Sequence, residues 1–442
     1  MIERLGSILF VAAIAILAFV GGAITMLGES FPHEYLRDAY RAGQALVQQQ
    51  KEATPYQSDQ WRVARGSAKG VTMYDPTAAF DGYTLYTGAG DAAAHLIGMD
   101  GRVLLEWRRP FSAVWNESAP FAKPQSDELV FMDKARMLPN GDLIAIYVGA
   151  ADTPWGYGMV KLDRESNVLW SYLAHTHHDF DIAPDGRIIA PTNEFRRDKV
   201  AGLDKLEEPY LDDFLVVLSP DGKETKKISL LRALTKSRFK LLNLAIPSYG
   251  LGDPLHTNSV QYIDGALAKS FPFGKEGDVL VSFRDMSAIA VVSLEEEKVT
   301  WAMRGPWLWQ HQARLLPNGH ITLFDNLGGF RADNAARVLE VDPKSGAVVW
   351  SYRGDDNNPL HSPLRSGAIV LPNDNVLITE SDAGRVFEVT RKGKIVWNFV
   401  NPTRGGTSEE LIAVATGGQR VDPESLYPDL RAVLETRKEA SK

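Results

Sequence analysis

Three histidines occupy equivalent positions in consecutive repeats of this chain. His178 and His311 each lie seven residues before the polar residue of a Pro-Asp-Gly or Pro-Asn-Gly turn, and His256 lies eight residues before a degenerate version of that turn. The corresponding positions of the second and sixth repeats hold Asp133 and Ser366. Neutral imidazoles act as nucleophiles, proton carriers and metal ligands. Their recurrence at one repeat position therefore predicts a shared functional site.

Three further side chains are candidates for the same site. His177 directly precedes His178, and Asn258 follows His256 by two residues, on the same side of an extended strand. Arg284 lies near the end of the alternating segment GDVLVSFRD in the same repeat as His256. A guanidinium offers paired donors to a sulfuryl, phosphoryl or carboxyl group, and an amide adds a neutral donor. We therefore predict substrate contacts from Asn258 and His177, and charge stabilisation by Arg284.

Two kinds of chemistry fit this set of side chains. Three neutral imidazoles are a familiar zinc set, but Arg284 would repel a cation and no acidic residue shares the repeat position near it. In an anion site, one histidine attacks a transferring group, while the others and Arg284 stabilise its charge and protonate the leaving oxygen. The residues favour the anion site, and we predict neither a bound metal nor a cofactor.

The elements that position these residues follow from a repeat with two parts. The first part is a turn between short strands, seen in MLPNGDLIAIY, IAPDGRIIAPT, LLPNGHITLFD and VLPNDNVLITE. The second is a turn whose following strand ends in tryptophan, at Trp107, Trp170, Trp301, Trp350 and Trp397. The segment SPDGKETKKISL fills the missing place without a tryptophan, which makes six units.

Each unit predicts two hairpins, because Pro-Asn-Gly and Pro-Asp-Gly favour tight turns and the flanking residues alternate as in half-buried strands. Six four-stranded units predict an all-β fold, a six-bladed β-propeller over residues 61–403, with the tryptophans packed between blades. The histidine position would begin the innermost strand of its blade, beside the central channel. Insertions at 193–213 and 235–254 would wall the pocket. The tail, residues 404–442, would supply either a closing strand or a helix.

The N-terminus predicts a membrane anchor over residues 1–30. Ser7 to Gly28 contains no charged residue, and a helix of this length, at about 1.5 Å per residue, spans a bilayer core of about 30 Å. A cleaved signal peptide is the alternative, although the apolar run exceeds the usual 7–15 residues. Residues 31–60 predict a membrane-proximal amphipathic helix and a linker. The flanking charges do not decide the orientation.

Composition excludes some functions. The net charge of -8 and the absence of basic runs argue against nucleic acid as a partner. The chain has no cysteine, which excludes disulfides, thiolate metal sites and a cysteine nucleophile.

The ordered segments HHDFDIAPDGR, HTNSVQY, VSFRD and WQHQARLLPNGH resemble the bacterial arylsulfate sulfotransferases and their arylsulfotransferase-like relatives, over about residues 82–402. The resemblance implies an enzyme without a nucleotide donor. In it, His311 accepts a sulfuryl group from an aryl sulfate as a sulfohistidine and passes it to a phenolic or hydroxyl acceptor. It also implies catalytic roles for His256, Arg284 and His178, and substrate binding by Asn258.

The resemblance further implies a single pass through the inner membrane with the propeller in the periplasm. Better-known members carry a larger N-terminal domain, so a homo-oligomer or an envelope partner stays open. One alternative is a non-catalytic propeller that binds a sulfated or carboxylated ligand or an envelope partner. Another is a quinone-cofactor dehydrogenase, because DPKSGAVVW resembles the tryptophan motif of eight-bladed quinoproteins. Six units, no vicinal cysteines and no clear calcium-ligand cluster count against it.

Overall fold

The structure is a computed structural model that describes residues 2–28, 30–52, 55–121, 124–329, 335–355 and 359–439. It divides into two compact units, Met1–Thr54 and Pro55–Lys442.

The first unit consists of two helices, Ile2–Leu27 and His33–Glu52. Within the first helix, the 24 residues Arg4–Leu27 are long and apolar enough to cross a membrane, since about 1.5 Å per residue gives a length of about 36 Å. Large apolar side chains along it are exposed, for example Phe19. The second helix is amphipathic and carries Glu34 in its first turn.

The second unit is built from β-sheets, six of which have four or five antiparallel strands. From the innermost strand outward, the first and second sheets are formed by Ala415–Val421, Tyr83–Gly88, Ala93–Ile97 and Val103–Arg108, and by Val130–Met137, Leu143–Gly149, Gly156–Leu162 and Val168–Tyr172. The third and fourth are formed by Asp181–Ile182, Ile188–Arg196, Tyr210–Leu218 and Glu224–Ser229, and by Thr257–Tyr262, Asp278–Phe283, Ala288–Ser293 and Lys298–Arg304.

The fifth sheet is formed by His311–Leu315, Ile321–Asp325, Arg337–Val341 and Val348–Tyr352. The sixth is formed by Gly367–Val370, Val376–Glu380, Arg385–Val389, Ile395–Val400 and Gly70–Tyr74. A small sheet joins Trp61–Val63, Leu411–Ala413 and Arg404–Gly405. The prediction of an all-β body made of four-stranded units is confirmed.

The repeated turns form because glycine supplies the left-handed residue that each needs. Gly186 and Gly319 have φ of 84° and 83° in the Pro-Asp-Gly and Pro-Asn-Gly turns, a conformation that costs other residues energy. The segment predicted as a degenerate turn in the fourth unit instead forms a short helix, Gly265–Ser270, capped by the Asp264 side chain. The sequence lacks the repeated proline–glycine turn at this place because it forms this helix instead.

Six apolar clusters join each sheet to the next and the sixth sheet to the first. The repeated tryptophans lie in these contacts. The indole N–H groups of Trp170, Trp350 and Trp397 donate to turn carbonyls of the following sheet. Trp107 and Trp301 are buried among apolar residues of the following sheet. The tryptophans therefore have a packing role.

The end of the chain contributes two elements. The strand Ala415–Val421 pairs with Tyr83–Gly88 and is the innermost strand of the first sheet. The helix Pro428–Glu439 follows and buries Leu430 and Leu434 against the first and second sheets. The tail thus contains both a strand, which completes the first sheet, and a helix.

Candidate active site

Four of the six innermost strands share a local irregularity in their pairing. The pairing register shifts at Asp133 in the strand Val130–Met137 and at Asn258 in the strand Thr257–Tyr262. It also shifts at Gln312 and Ala313 in the strand His311–Leu315, and at Thr416 in the strand Ala415–Val421. A bulge re-aims the side chain of its extra residue and is common beside active sites.

A central pocket lies at these bulges. It is lined by Asp133, Lys134, His178, Asp179, Asn258, His311, Gln312, Arg365, Ser366 and Thr416. Each of the six sheets contributes a lining residue, either from its innermost strand or, in the third and sixth sheets, from the segment directly before that strand. Thr416 comes from the strand that completes the first sheet. Four of the five residues that the repeat alignment placed at one position, Asp133, His178, His311 and Ser366, therefore line one shared space.

The three repeat-equivalent histidines converge beside this pocket. The ring centroid of His178 lies 4.9 Å from that of His256 and 6.3 Å from that of His311. His178 and His256 both have a left-handed backbone, with φ of 60° and 46°. Such strain persists where the surrounding structure holds it, which is common at functional sites.

His256 is held on two sides. Its Nδ1 lies 2.5 Å from Oδ2 of Asp253, and the indole ring of Trp155 stacks on its imidazole at 5.2 Å between centroids. Asp253 belongs to the predicted insertion of the fourth unit, and Trp155 lies in a loop of the second sheet. The sequence analysis missed both, although an acidic residue three positions before a candidate histidine was a usable signal.

His177 lies deeper than His178. Its side chain is buried, its Nδ1 lies 2.8 Å from Nδ1 of His178, and its Nε2 lies 3.6 Å from Oδ1 of Asp213. This placement favours a positioning role toward His178, and direct contact of His177 with substrate stays a prediction.

Arg284 lies at the end of the strand Asp278–Phe283, as the alternation predicted. Its Nε donates to Oδ1 of Asp285 at 2.7 Å, and its guanidinium lies over the ring of Trp309 at 5.0 Å. The indole N–H of Trp309 donates to the hydroxyl of Tyr249 at 2.9 Å, and Tyr249 is 65% exposed. The insertion therefore places an exposed aromatic side chain against the tryptophan that packs on the arginine.

Asn258 is buried and lines the pocket. Its Nδ2 donates to the carbonyl of Gln310 at 2.7 Å, whereas its Oδ1 has no hydrogen-bond partner among the described residues. The amide keeps one N–H and an unpaired carbonyl oxygen for a ligand.

The histidines are held neutral. Burial is the largest cause that lowers the pKa of His178 and the pKa of His256 well below the usual value. The next cause is the neighbouring His256 for His178 and the neighbouring Arg284 for His256. Burial, followed by Arg284, lowers the pKa of His311 to about 3. Nδ1 of His311 lies 3.0 Å from the carbonyl oxygen of Trp309. A neutral imidazole that donates through Nδ1 keeps a lone pair on Nε2, as a nucleophile requires.

A metal fits the site poorly. Within the described ranges, no group of three or more histidine and carboxylate side chains is arranged to hold a metal ion. The positive charge of Arg284 lies close to His256 and His311 and would repel a metal cation.

Comparison with known proteins identifies a family for this chain. Residues 134–402 match the family model described as arylsulfotransferase (ASST). No curated protein matches the chain. Among solved structures, the chain is similar to a Bacteroides caccae protein of unknown function, with 12% identity, a TM-score of 0.48, and coverage of 77% of this chain and 98% of the other.

Two other solved structures are similar at comparable levels. The β-propeller domain of Myceliophteria thermophila Swd1 shares 12% identity, with a TM-score of 0.40 and coverage of 82% and 100%. Virginiamycin B lyase from Staphylococcus aureus shares 12% identity, with a TM-score of 0.34 and coverage of 61% and 69%. These likenesses carry no inference about activity. The family match spans more than half of the chain and includes every residue of the predicted site, and the protein belongs to the arylsulfotransferase (ASST) family.

Proposed function

We propose that this protein is a membrane-anchored arylsulfotransferase whose six sheets are the blades of a six-bladed propeller, with the histidine site on its central channel. The cyclic series of apolar clusters, from the first sheet to the sixth and back to the first, supports the propeller. The family match and the neutral histidines beside an arginine support the transferase.

His311 is the nucleophile in the first half-reaction. Its Nε2 lone pair attacks the sulfur of an aryl sulfate, the N–S bond forms, and the S–O bond to the aryl group breaks with its electron pair on the departing phenolate. His311 suits this role because burial and Arg284 keep its imidazole neutral. The resulting sulfohistidine is a covalent intermediate that divides the transfer into two steps.

His256 carries the proton in the second half-reaction. The acceptor hydroxyl attacks the sulfur, the S–N bond returns its electron pair to His311, and Nε2 of His256 takes the hydroxyl proton. Asp253 at Nδ1 stabilises the imidazolium that forms, as a carboxylate does for a general-base histidine. The imidazolium then passes this proton to the released phenolate or to water, which returns His256 to its neutral state.

Charge on the transferring group is stabilised by side chains around it. Sulfuryl transfer spreads negative charge over three oxygens, so fixed donors and positioning contribute most to catalysis. Arg284, the free N–H of Asn258 and His178 supply these donors. His177 holds His178 in place.

The N-terminal helix anchors the protein in the inner membrane, with the propeller in the periplasm. The propeller consists of residues 61–403 together with the strand Ala415–Val421, which completes the first sheet. The apolar span Arg4–Leu27 supports the anchor, and family membership supports the envelope location. The substrates are small molecules, an aryl sulfate donor and a phenolic or hydroxyl acceptor.

The observation that carries this proposal is the convergence of three neutral histidines from three neighbouring sheets. Intact mass spectrometry of the full chain with 4-nitrophenyl sulfate tests it, and His311→Ala is the comparison. We expect a gain of about 80 Da, one sulfuryl group, together with nitrophenolate release in the wild type only. If several aryl sulfates give no adduct and no phenolate release, the result favours a propeller that binds anionic ligands without turnover.

A further inference from the structure

A buried asparagine outside the predicted site contacts the proposed nucleophile. Asn326 follows the strand Ile321–Asp325 in the fifth sheet and is 2% exposed. Its Oδ1 lies 2.8 Å from Nδ1 of His311. The sequence analysis did not single out this residue, because it lies fifteen positions after His311 in a loop without a motif.

The amide of Asn326 has a defined orientation. Its Nδ2 donates to the carbonyl oxygens of Ser362 and Arg365, each at 2.8 Å. Carbonyl oxygens only accept hydrogen bonds, so Nδ2 must point to them and Oδ1 must point to His311. A flipped amide would set two acceptors against each other twice and leave Nδ1 facing a donor.

This orientation determines the state of His311. Both groups near its Nδ1, Oδ1 of Asn326 and the carbonyl of Trp309, are acceptors. A neutral imidazole carries one proton, and here that proton must sit on Nδ1. We propose that Asn326 is a positioning residue that fixes His311 in the Nδ1–H tautomer and aims its Nε2 lone pair at the sulfuryl group.

This inference rests on the proposed function, and the hydrogen bond also has a role during transfer. When Nε2 bonds to sulfur, positive charge spreads over the ring and the Nδ1–H becomes a stronger donor. Its bond to Asn326 is then charge-assisted, and such bonds are stronger than neutral ones. The contact therefore stabilises the sulfohistidine and its transition state more than the free enzyme, which lowers the barrier.

An asparagine suits this position better than an aspartate. A carboxylate at the same place would favour the imidazolium, raise the pKa of His311 and protonate the nucleophile. The neutral amide accepts the proton without adding charge. Around His311 the charged and titratable groups are Arg284, His256, His178, Asp133, Lys134, Asp179 and Arg365.

The surroundings of Asn326 keep it rigid. The carbonyl of Arg365 that it contacts belongs to a residue with φ of 57°, and the guanidinium of Arg365 pairs with Oδ2 of Asp59 at 2.6 Å. Hydrogen bonds thus run from the segment before the first strand, through Arg365 and Asn326, to His311. Such outer partners hold a functional histidine in its orientation.

Two variants of Asn326 test the inference in the full chain. In Asn326→Leu, which lacks the acceptor, we expect sulfohistidine formation from saturating 4-nitrophenyl sulfate to slow on the order of 10–100-fold at all pH values. In Asn326→Asp we expect the acid limb of the rate profile to move to higher pH, with the rate largely recovered above it. Asn373→Asp is the matched control, because the equivalent turn of the third sheet already has Asp185 there.

The outcomes separate the inference from the proposed function. If the wild type forms the adduct and both variants form it equally fast with an unshifted acid limb, the positioning role is wrong and the transferase stands. If the wild type forms no adduct, the transferase is wrong.

A measurement without turnover then decides the tautomer. In ¹⁵N spectra of histidine-labelled chain, with His311→Ala for assignment, we expect Nδ1–H in the wild type and a mixture in Asn326→Leu. An Nε2–H tautomer in the wild type would overturn the inference.

Discussion

Asp253 contacts His256 through a short hydrogen bond, with 2.5 Å between Oδ2 and Nδ1. Burial raises the pKa of Asp253 and lowers that of His256 well below its usual value. Burial therefore opposes an unpaired charge on either partner, while a charge on both at once would be compensated. This pairing lets His256 take up a proton during transfer although it is neutral at rest.

We predict that Asp253→Asn separates the two half-reactions. The amide can still accept from Nδ1 but cannot stabilise the imidazolium, so transfer from the sulfohistidine to a phenol should slow about 10²–10⁴-fold. Formation of the sulfohistidine from 4-nitrophenyl sulfate should change much less, because nitrophenolate leaves without protonation. Single-turnover measurements of each step test this. An equal loss in both steps, or the same loss in the exposed-turn control Asp185→Asn, would contradict it.

The sequence predicted much of the fold because the repeat has local causes. Its turns and the packing tryptophans, such as Trp397, are set by residues close in sequence. The innermost strand of the first sheet was harder to assign. Ala415–Val421 pairs with Tyr83–Gly88 across more than three hundred residues and lacks the proline turn. Closure of this sheet depends on long-range pairing, which no local pattern encodes.

The candidate site shows the same division. His178, His256 and His311 could be found because the repeat placed them at one position. Asp253 and Asn326 do not appear in a repeat alignment, because they reach the histidines from a non-repeated insertion and a loop. Repeat alignment finds what successive sheets have in common, whereas these supporting residues belong to single sheets.

We predict that Arg284 governs donor binding through its shape as well as its charge. Its guanidinium is held by Asp285 and the face of Trp309, and the hydrogen bond to Asp285 uses Nε, so the two Nη groups can donate to a ligand. A lysine cannot reproduce the paired donors or the stacking. Arg284→Lys should raise the concentration of aryl sulfate needed for half-maximal sulfohistidine formation about 10-fold or more, and Arg284→Ala should raise it further. If Lys restores full affinity, the role of Arg284 is simple charge.

Stability should fall as the pH decreases from neutral toward 5. Burial lowers the folded-state pKa of His178, His256 and His311 below the unfolded value near 6.5. Between these values the unfolded chain binds more protons, so their contribution is present above pH 6.5 and is lost below it. For each pH unit below 6.5, each histidine lowers the free energy of unfolding by up to about 1.4 kcal/mol.

Thermal or denaturant unfolding of the full chain from pH 8 to 5 measures this dependence. The matched comparison is a variant with all three histidines changed to glutamine, which removes their titration and leaves every carboxylate in place. We expect the wild type to lose stability more steeply than the variant between pH 6.5 and 5. Parallel curves would mean that the histidines are not held neutral in the folded protein.

The absence of cysteine allows a direct test of anchoring and orientation. Lys223 lies in an outer turn of the third sheet with 80% of its side chain exposed, so Lys223→Cys introduces one accessible thiol into a chain that has no other. If the apolar helix holds the propeller outside the inner membrane, a membrane-impermeant maleimide should label this variant in intact spheroplasts. The labelled chain should also stay with the membranes after alkaline extraction. Labelling only after lysis would place the propeller in the cytoplasm. Release on extraction would mean that the apolar segment is a cleaved signal peptide, because a helix that spans the bilayer is held by the full hydrophobic cost of leaving it.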